Sequence, residues 1–124
     1  MGERYDAVKT SVTTADADSI RISQASSEIL VLYFKEYNGR NVSITFQNVL
    51  AFKFEMCHTW NHRDDEIYEV KNSNWMNDQI KSYLNNFPLD DVPQVKHYRF
   101  CFNVNSQFFD VICSKDFDIT IKEI

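Results

Sequence analysis

The sequence predicts an α+β fold: an antiparallel, β-dominated curled sheet or two-sheet sandwich carrying one α-helix. Three observations predict it. Two turn dipeptides, Asn38-Gly39 and Asn105-Ser106, each divide a pair of β-branched and aromatic runs, which is a hairpin signature. Elsewhere apolar residues alternate with period two, as in half-buried strands. One stretch alone departs from this, with helical spacing.

Along the chain, residues 1–17 are polar and weakly patterned and read as a loosely ordered lead-in; residues 18–124 read as a single β-rich domain. Ile20 and Ile22 alternate with polar neighbours in a short first strand. The run Glu28 to Tyr37 ends at Asn38-Gly39, where a two-residue type I′ turn needs positive φ at both positions. That turn pairs Tyr37 with Arg40, and sets Val31 opposite Phe46, Tyr33 opposite Ile44 and Lys35 opposite Val42. The first strand is apolar on both sides, which suggests a central position covered on each face. Ile44, Phe46, Leu50, Phe52, Phe54 and Met56 occupy even positions, and Asn48 interrupts them as a bend or a boundary between two strands.

Residues 57–66 (CHTWNHRDDE) form a polar loop, followed by a short strand, IYEVKN. Ser73 supplies an N-cap oxygen. Met76, Ile80, Tyr83, Leu84 and Phe87 then lie on one helical face, predicting a helix over 74–86 that Pro88 ends. The last hairpin sets Phe102 opposite Phe109, Phe100 opposite Val111 and Tyr98 opposite Cys113, with Arg99, Cys101 and Asn103 on the other side. FDITIKE is the final strand.

The 124 residues suffice for one domain that buries roughly two-thirds of its unfolded surface. Thirteen basic residues oppose eighteen acidic ones, a net charge of −5. Nucleic-acid binding and acidic lipid surfaces are therefore disfavoured, and a basic partner is favoured. Two glycines leave no material for a phosphate-cradling loop. No run of about 18 apolar residues spans a membrane, and the first residues lack a signal peptide's apolar region. Asp6 stands where a lipidation motif after Gly2 wants Ser or Thr. Three cysteines suggest reduced thiols in the cytoplasm.

No chemical motif is complete. Cys57, His58, His62, Asp64, Asp65 and Glu66 are metal-ligand types, but no paired framework arranges them, so no metal or cofactor is expected. Cys57 and His58 are adjacent and point apart on a strand; His97 and Cys101 stand about 13 Å apart along theirs. Neither pair makes an activated thiolate. Cys101 and Cys113 fall on opposite faces of their hairpin and are not bonded. The expectation is a protein that is not an enzyme. Asp64, Asp65, Glu66, Asp90 and Asp91 are surface acids suited to a basic protein partner. Trp60 and His62 join them as loop contacts, Trp60 as an exposed anchor; Trp75 packs at the helix–sheet junction. Charge reversal at Asp64, Asp65 and Glu66 should weaken partner binding and leave folding intact.

The stretches YEVKNSNWM, HYRFCFN and FFDVICSKDFDI resemble a pattern in small bacterial proteins of toxin–immunity neighbourhoods. The resemblance covers roughly residues 67–121 and rests on helix entry and hairpin core. It implies a cytoplasmic immunity-type protein that neutralises a toxin domain by binding it, and it carries no functional residue across. The alternative reading is a small-ligand-binding protein or enzyme with an aromatic pocket ringed by Tyr33, Tyr98 or His97. A third is a self-assembling subunit, with FDITIKE as an edge strand that makes a homodimer by strand addition.

Overall fold

The computed structural model describes residues 2–56, 60–114 and 116–122. In chain order these form β1 (Arg4–Ala7), β2 (Asp18–Gln24), β3 (Leu30–Lys35), β4 (Asn41–Phe46), β5 (Ala51–Met56), β6 (Ile67–Lys71), α1 (Asn74–Asn86), β7 (Lys96–Phe102), β8 (Gln107–Cys113) and β9 (Phe117–Lys122). The strands make two antiparallel sheets, ordered β1-β6-β7-β8-β5 and β2-β3-β4-β9. This is the expected two-sheet sandwich with one helix.

The sheets meet through phenylalanine. The Phe34 ring lies edge-on to Phe102 at 5.2 Å, and Phe46 to Phe100 at 5.6 Å. Phe117 closes the same layer against Tyr98, Phe100 and Phe46. Edge-to-face pairs of this kind add to the burial of large rings. Leu30, Leu32, Val42, Ile44, Val111 and Cys113 fill the space between.

The first hairpin differs from expectation by one residue. Leu30 pairs with Phe46, Leu32 with Ile44 and Phe34 with Val42. The predicted register would have turned Val31, Tyr33 and Lys35 to the core. The observed one buries Leu30, Leu32 and Phe34 instead, because a one-residue slip exchanges the two faces and the more apolar face wins. The turn gives way: residues 36–40 close it through Glu36 N–H to Arg40 O and Gly39 N–H to Glu36 O, both 2.9 Å, with Gly39 at φ 89°. Consequently β3 is covered on one face only, and Val31, Tyr33 and Lys35 are half-exposed.

The last hairpin differs by two residues. Phe102 pairs with Gln107, Phe100 with Phe109 and Tyr98 with Val111, across a 3-10 turn at Val104–Ser106. An even slip keeps every side chain on its predicted face. Cys101 and Cys113 therefore remain on opposite sides of the sheet and are not bonded to each other. Asn48, at φ 52°, marks where the chain leaves β4 for β5 in the other sheet.

Residues 1–17 are not simply a lead-in. Arg4–Ala7 add an edge strand beside β6, and Thr14 and Ala17 are buried. The polar composition masked this because the tie is a buried carboxylate on another segment. Glu36 accepts Thr13 N–H at 2.8 Å and Arg40 Nε–H at 2.5 Å, while Arg40 Nη2 donates to Ser11 O at 3.2 Å. The hairpin thus binds the entry segment through a carboxylate that is only 2 % exposed.

The helix spans the predicted residues. Ser73 caps it, its Oγ accepting Met76 N–H. Trp75, Met76, Ile80, Tyr83 and Leu84 are its half-buried face.

Burial sets an alkaline limit to stability. It pushes the Cys113 thiol from 9.0 up to about 12, and burial followed by the charge of Glu69 pushes Tyr98 from 10.0 up to about 12. Below about pH 8 both groups are protonated whether the chain is folded or not. At higher pH the unfolded chain releases protons that the folded chain keeps, so stability falls as pH rises toward about 12. Urea midpoints measured between about pH 8 and about pH 11 should decline, and Cys113→Ala should remove the earliest part of the decline. A flat profile would contradict the burial of both groups.

Candidate functional site

The outer face of the five-stranded sheet, away from the sandwich core, carries an unusual set of side chains. Val70, Tyr68, His97, Arg99, Cys101, Phe108 and Asp110 project there by alternation. Asp110 is fully buried in an otherwise apolar strand. Its Oδ1 accepts Arg99 Nε–H at 2.8 Å and contacts His97 Nε2 at 2.6 Å; Oδ2 is buried without a hydrogen-bond partner. His97 Nδ1 lies 2.7 Å from Ser73 Oγ. The Asp110 carboxylate can only accept, so His97 Nε2–H donates to it, and in the neutral imidazole Nδ1 is then the acceptor of the Ser73 hydroxyl.

Serine, histidine and aspartate in hydrogen-bonded series are the residue types of an acyl-transfer centre. Here Ser73 and Asp110 are fully buried and His97 nearly so. The serine oxygen is occupied as a helix cap. The arrangement docks the start of α1 onto β7 and β8. Trp75 reinforces it, edge-on to His97 at 5.0 Å, with the Lys53 ammonium 4.6 Å above its ring.

Arg99 is enclosed on its other side by aromatic rings. Its guanidinium carbon lies 4.9 Å from the Trp60 centroid, 5.4 Å from Phe108 and 5.5 Å from Tyr5. Burial alone would lower its pKa, but the charge and hydrogen bond of Asp110 outweigh this and hold it above the ordinary value. Trp60 in turn packs edge-on to Tyr5 and Phe108. Its Nε1–H and the Tyr68 hydroxyl both donate to the Arg63 carbonyl, at 2.9 and 3.1 Å. Trp60 is therefore half-buried and fixes the loop, rather than standing out as an anchor. His62 is exposed but lies against Tyr5, Trp60 and Tyr68.

The acidic candidates fall into two groups. Asp65 receives both Arg63 Nε and Nη2, at 3.0 and 2.9 Å, which holds its pKa below the ordinary carboxylate value. Glu66 lies 3.8 Å from the same guanidinium. Asp64 is exposed. Asp65 and Glu66 border a groove of about 510 Å³ against residues 7–15. Asp90 and Asp91 lie elsewhere. Glu66 O bonds Cys101 N–H near the end of β7, whereas Asp91 precedes the start of that strand and borders a groove with Leu50 and Ser114. The structure does not merge the two groups into one acidic face. Asp90 accepts the Tyr83 hydroxyl at 2.5 Å, and Asp90 N–H bonds Phe87 O at 3.1 Å. Phe87 stacks on Tyr83 at 5.0 Å. Residues 87–90 are thus a built turn.

The three residues expected to ring an aromatic pocket are dispersed. Tyr98 packs into the inter-sheet core, His97 lies on the opposite face of β7, and Tyr33 lies on the outside of the other sheet. Among the described residues no group of three or more His, Cys, Asp or Glu is placed to hold a metal ion; Cys57 and His58 lie outside them. Among the described residues no helix is long and apolar enough to cross a membrane. No family model, no curated protein and no solved structure matches the chain.

The Asp110 network was the feature the sequence reading passed over. One signal could have shown it: a single charge inside FFDVIC, facing the polar positions of HYRFCF. Replacing Asp110 with Ala leaves Arg99 and His97 without their shared acceptor and should cost about 3–5 kcal/mol in urea unfolding, with a red-shifted Trp60 emission. Ser73→Ala should cost about 1 kcal/mol as a lost cap. If Asp110→Ala unfolds within about 0.5 kcal/mol of the parent, the network does not hold this face together.

Proposed function

We propose that the protein is a non-catalytic protein-binding domain of the immunity type, acting in the cytoplasm by covering a basic toxin partner. The observation that carries this reading is the turn after α1. Within six residues Phe87, Leu89 and Val92 are 52, 99 and 56 % exposed, and Asp90 and Asp91 stand between them. Large apolar side chains gathered at one exposed place mark interaction sites. Here the turn is pre-organised by Tyr83, so little ordering entropy opposes docking. The two carboxylates select a partner whose apolar recess is rimmed by Lys or Arg.

The 64–66 group is a second contact in this reading and a weaker one, because Arg63 already compensates Asp65 and approaches Glu66. Net charge adds long-range steering toward a basic surface. The edge strand β9 is the segment a homodimer would use.

The test begins with affinity capture from the native lysate at low and high salt, followed by binding measurements on the purified partner. Leu89→Asp with Val92→Asp should weaken binding by roughly a hundredfold or more, the range of hot-spot loss. Asp90→Lys with Asp91→Lys should slow association and flatten its salt dependence. Charge reversal at Asp64, Asp65 and Glu66 should have a smaller effect. The partner expressed alone should arrest growth, and this chain should restore it. Full protection by the Leu89/Val92 variant would remove the turn from the interface, and a partner harmless to cells would end the immunity reading.

A further inference from the structure

We propose that the outer face of the four-stranded sheet binds a small phosphate-bearing anion. The register sets two cross-strand rows side by side on this face. Arg21, Tyr33, Ser43 and Thr120 form the first; Lys35, Asn41 and Lys122 form the second. Cross-strand neighbours are about 5 Å apart and successive rows about 7 Å, so Lys35, Asn41, Ser43, Thr120 and Lys122, on three adjacent strands, reach one small molecule, with Arg21 at its far edge. They line a single groove of about 290 Å³.

The charge of this groove runs against that of the molecule. The chain carries −5 overall, yet three cations stand here. Among the described residues neither Lys35 nor Lys122 has a carboxylate within ion-pair distance, and Arg21 lies over the Tyr33 ring at 4.4 Å. Asp18, opposite Lys35, ends the second row and accepts the Ser19 hydroxyl, so three cations face one carboxylate across the two rows. Asp118 belongs to the next row, opposite Thr45. Two ammonium groups and a guanidinium provide charge, and Ser43, Thr120 and Asn41 provide neutral donors between them. A multiply charged tetrahedral oxyanion uses both kinds of donor. Tyr33 gives an apolar floor for whatever carries the phosphate.

The shape favours one small molecule over a polymer. The volume is at the lower end of ligand pockets, and of the two aromatic residues that line the groove, Tyr33 and Phe34, Phe34 is buried in the core, where strand-binding proteins use successive exposed stacking platforms. The local architecture is specific. The register of β2 shifts between Asp18 and Arg21, with Ser19 at φ 55°. That bulge brings Ser19 and Arg21 together to the rim, as bulges re-aim side chains beside sites.

The proposal is independent of the protein-binding reading and is tested on the full chain. Pyrophosphate, inorganic phosphate and a decathymidine oligonucleotide are titrated by calorimetry and by amide NMR shifts. Pyrophosphate should bind more tightly than phosphate and shift Ser43 and Thr120. Lys35→Ala with Lys122→Ala should weaken it by roughly tenfold or more, with unchanged urea midpoint, while Lys81→Ala on α1 should not. Three results would overturn the proposal. One is no saturable shift at millimolar pyrophosphate. Another is equal weakening by Lys81→Ala, which would mean diffuse charge. The third is tighter binding of the oligonucleotide than of pyrophosphate, which would make the face a strand-binding surface.

Discussion

Asp110 is the constraint on which the outer half of this molecule depends. A fully buried carboxylate is costly unless cations and donors meet it. Here Arg99 and His97 both meet its Oδ1. Each then imposes order on a different region. His97 passes the constraint through Ser73 to the first turn of α1. Arg99 passes it to Trp60, Tyr5 and Phe108, whose rings close over the guanidinium. The helix and the 60–66 loop are distant in function but share one buried charge as their reference point. Removing the charge would loosen both.

Glu36 does the same on a smaller scale for the other sheet. It is nearly as buried as Asp110 and likewise serves two clients, the backbone of Thr13 and the guanidinium of Arg40. Both carboxylates sit where a strand meets something that is not a strand. Hydrophobic packing aligns the two sheets face to face but is non-directional. It does not say where a loop or a helix must land on them. A buried charge with directional donors does, so these two groups set the placement of the irregular segments.

The fold is legible because alternation marks the strands and the turn dipeptides mark where hairpins close, although neither dipeptide fixes the observed register. The helix was read to the residue, since Ser73, the spacing from Met76 to Phe87 and Pro88 are independent local signals. Strand faces were legible in the last hairpin despite a two-residue slip, because parity survives an even shift. In the first hairpin the Asn-Gly signal and the apolar pattern competed, and Leu30, Leu32 and Phe34 prevailed. Pairing between β1 and β6 was not legible: it joins residues more than sixty positions apart, and Arg4 to Ala7 carry little pattern. The candidate site was legible only in part. Charge and loop position point to Asp64, Asp65, Asp90 and Asp91, but sequence does not show that Arg63 occupies two of Asp65's acceptor sites. Nor does it show that β7 separates the two groups. The buried network required knowing which face of β7 meets which face of β8.

Charge is sorted by architecture in this sandwich. Alternation sends every second residue of β2, β3, β4 and β9 outward, and those positions hold Arg21, Lys35 and Lys122 among hydroxyls and amides, with Asp18 and Asp118 at the margins. The carboxylates of the loops collect off the ends of β7 in the other sheet. A molecule with −5 overall therefore presents a cationic groove on one side and acidic turns on the other. Screening at physiological salt acts over about 8 Å, so surfaces separated by a sandwich of two sheets about 10 Å apart address different ligands. The apolar side chains follow a different division: Leu89 and Val92 stand exposed with the acids, while Phe34 and Val42 at the cationic groove are buried. An apolar turn with carboxylates suits a folded macromolecular surface, and a cationic cradle with hydroxyls suits a small oxyanion. Each follows from the side chains that its own backbone geometry turns outward.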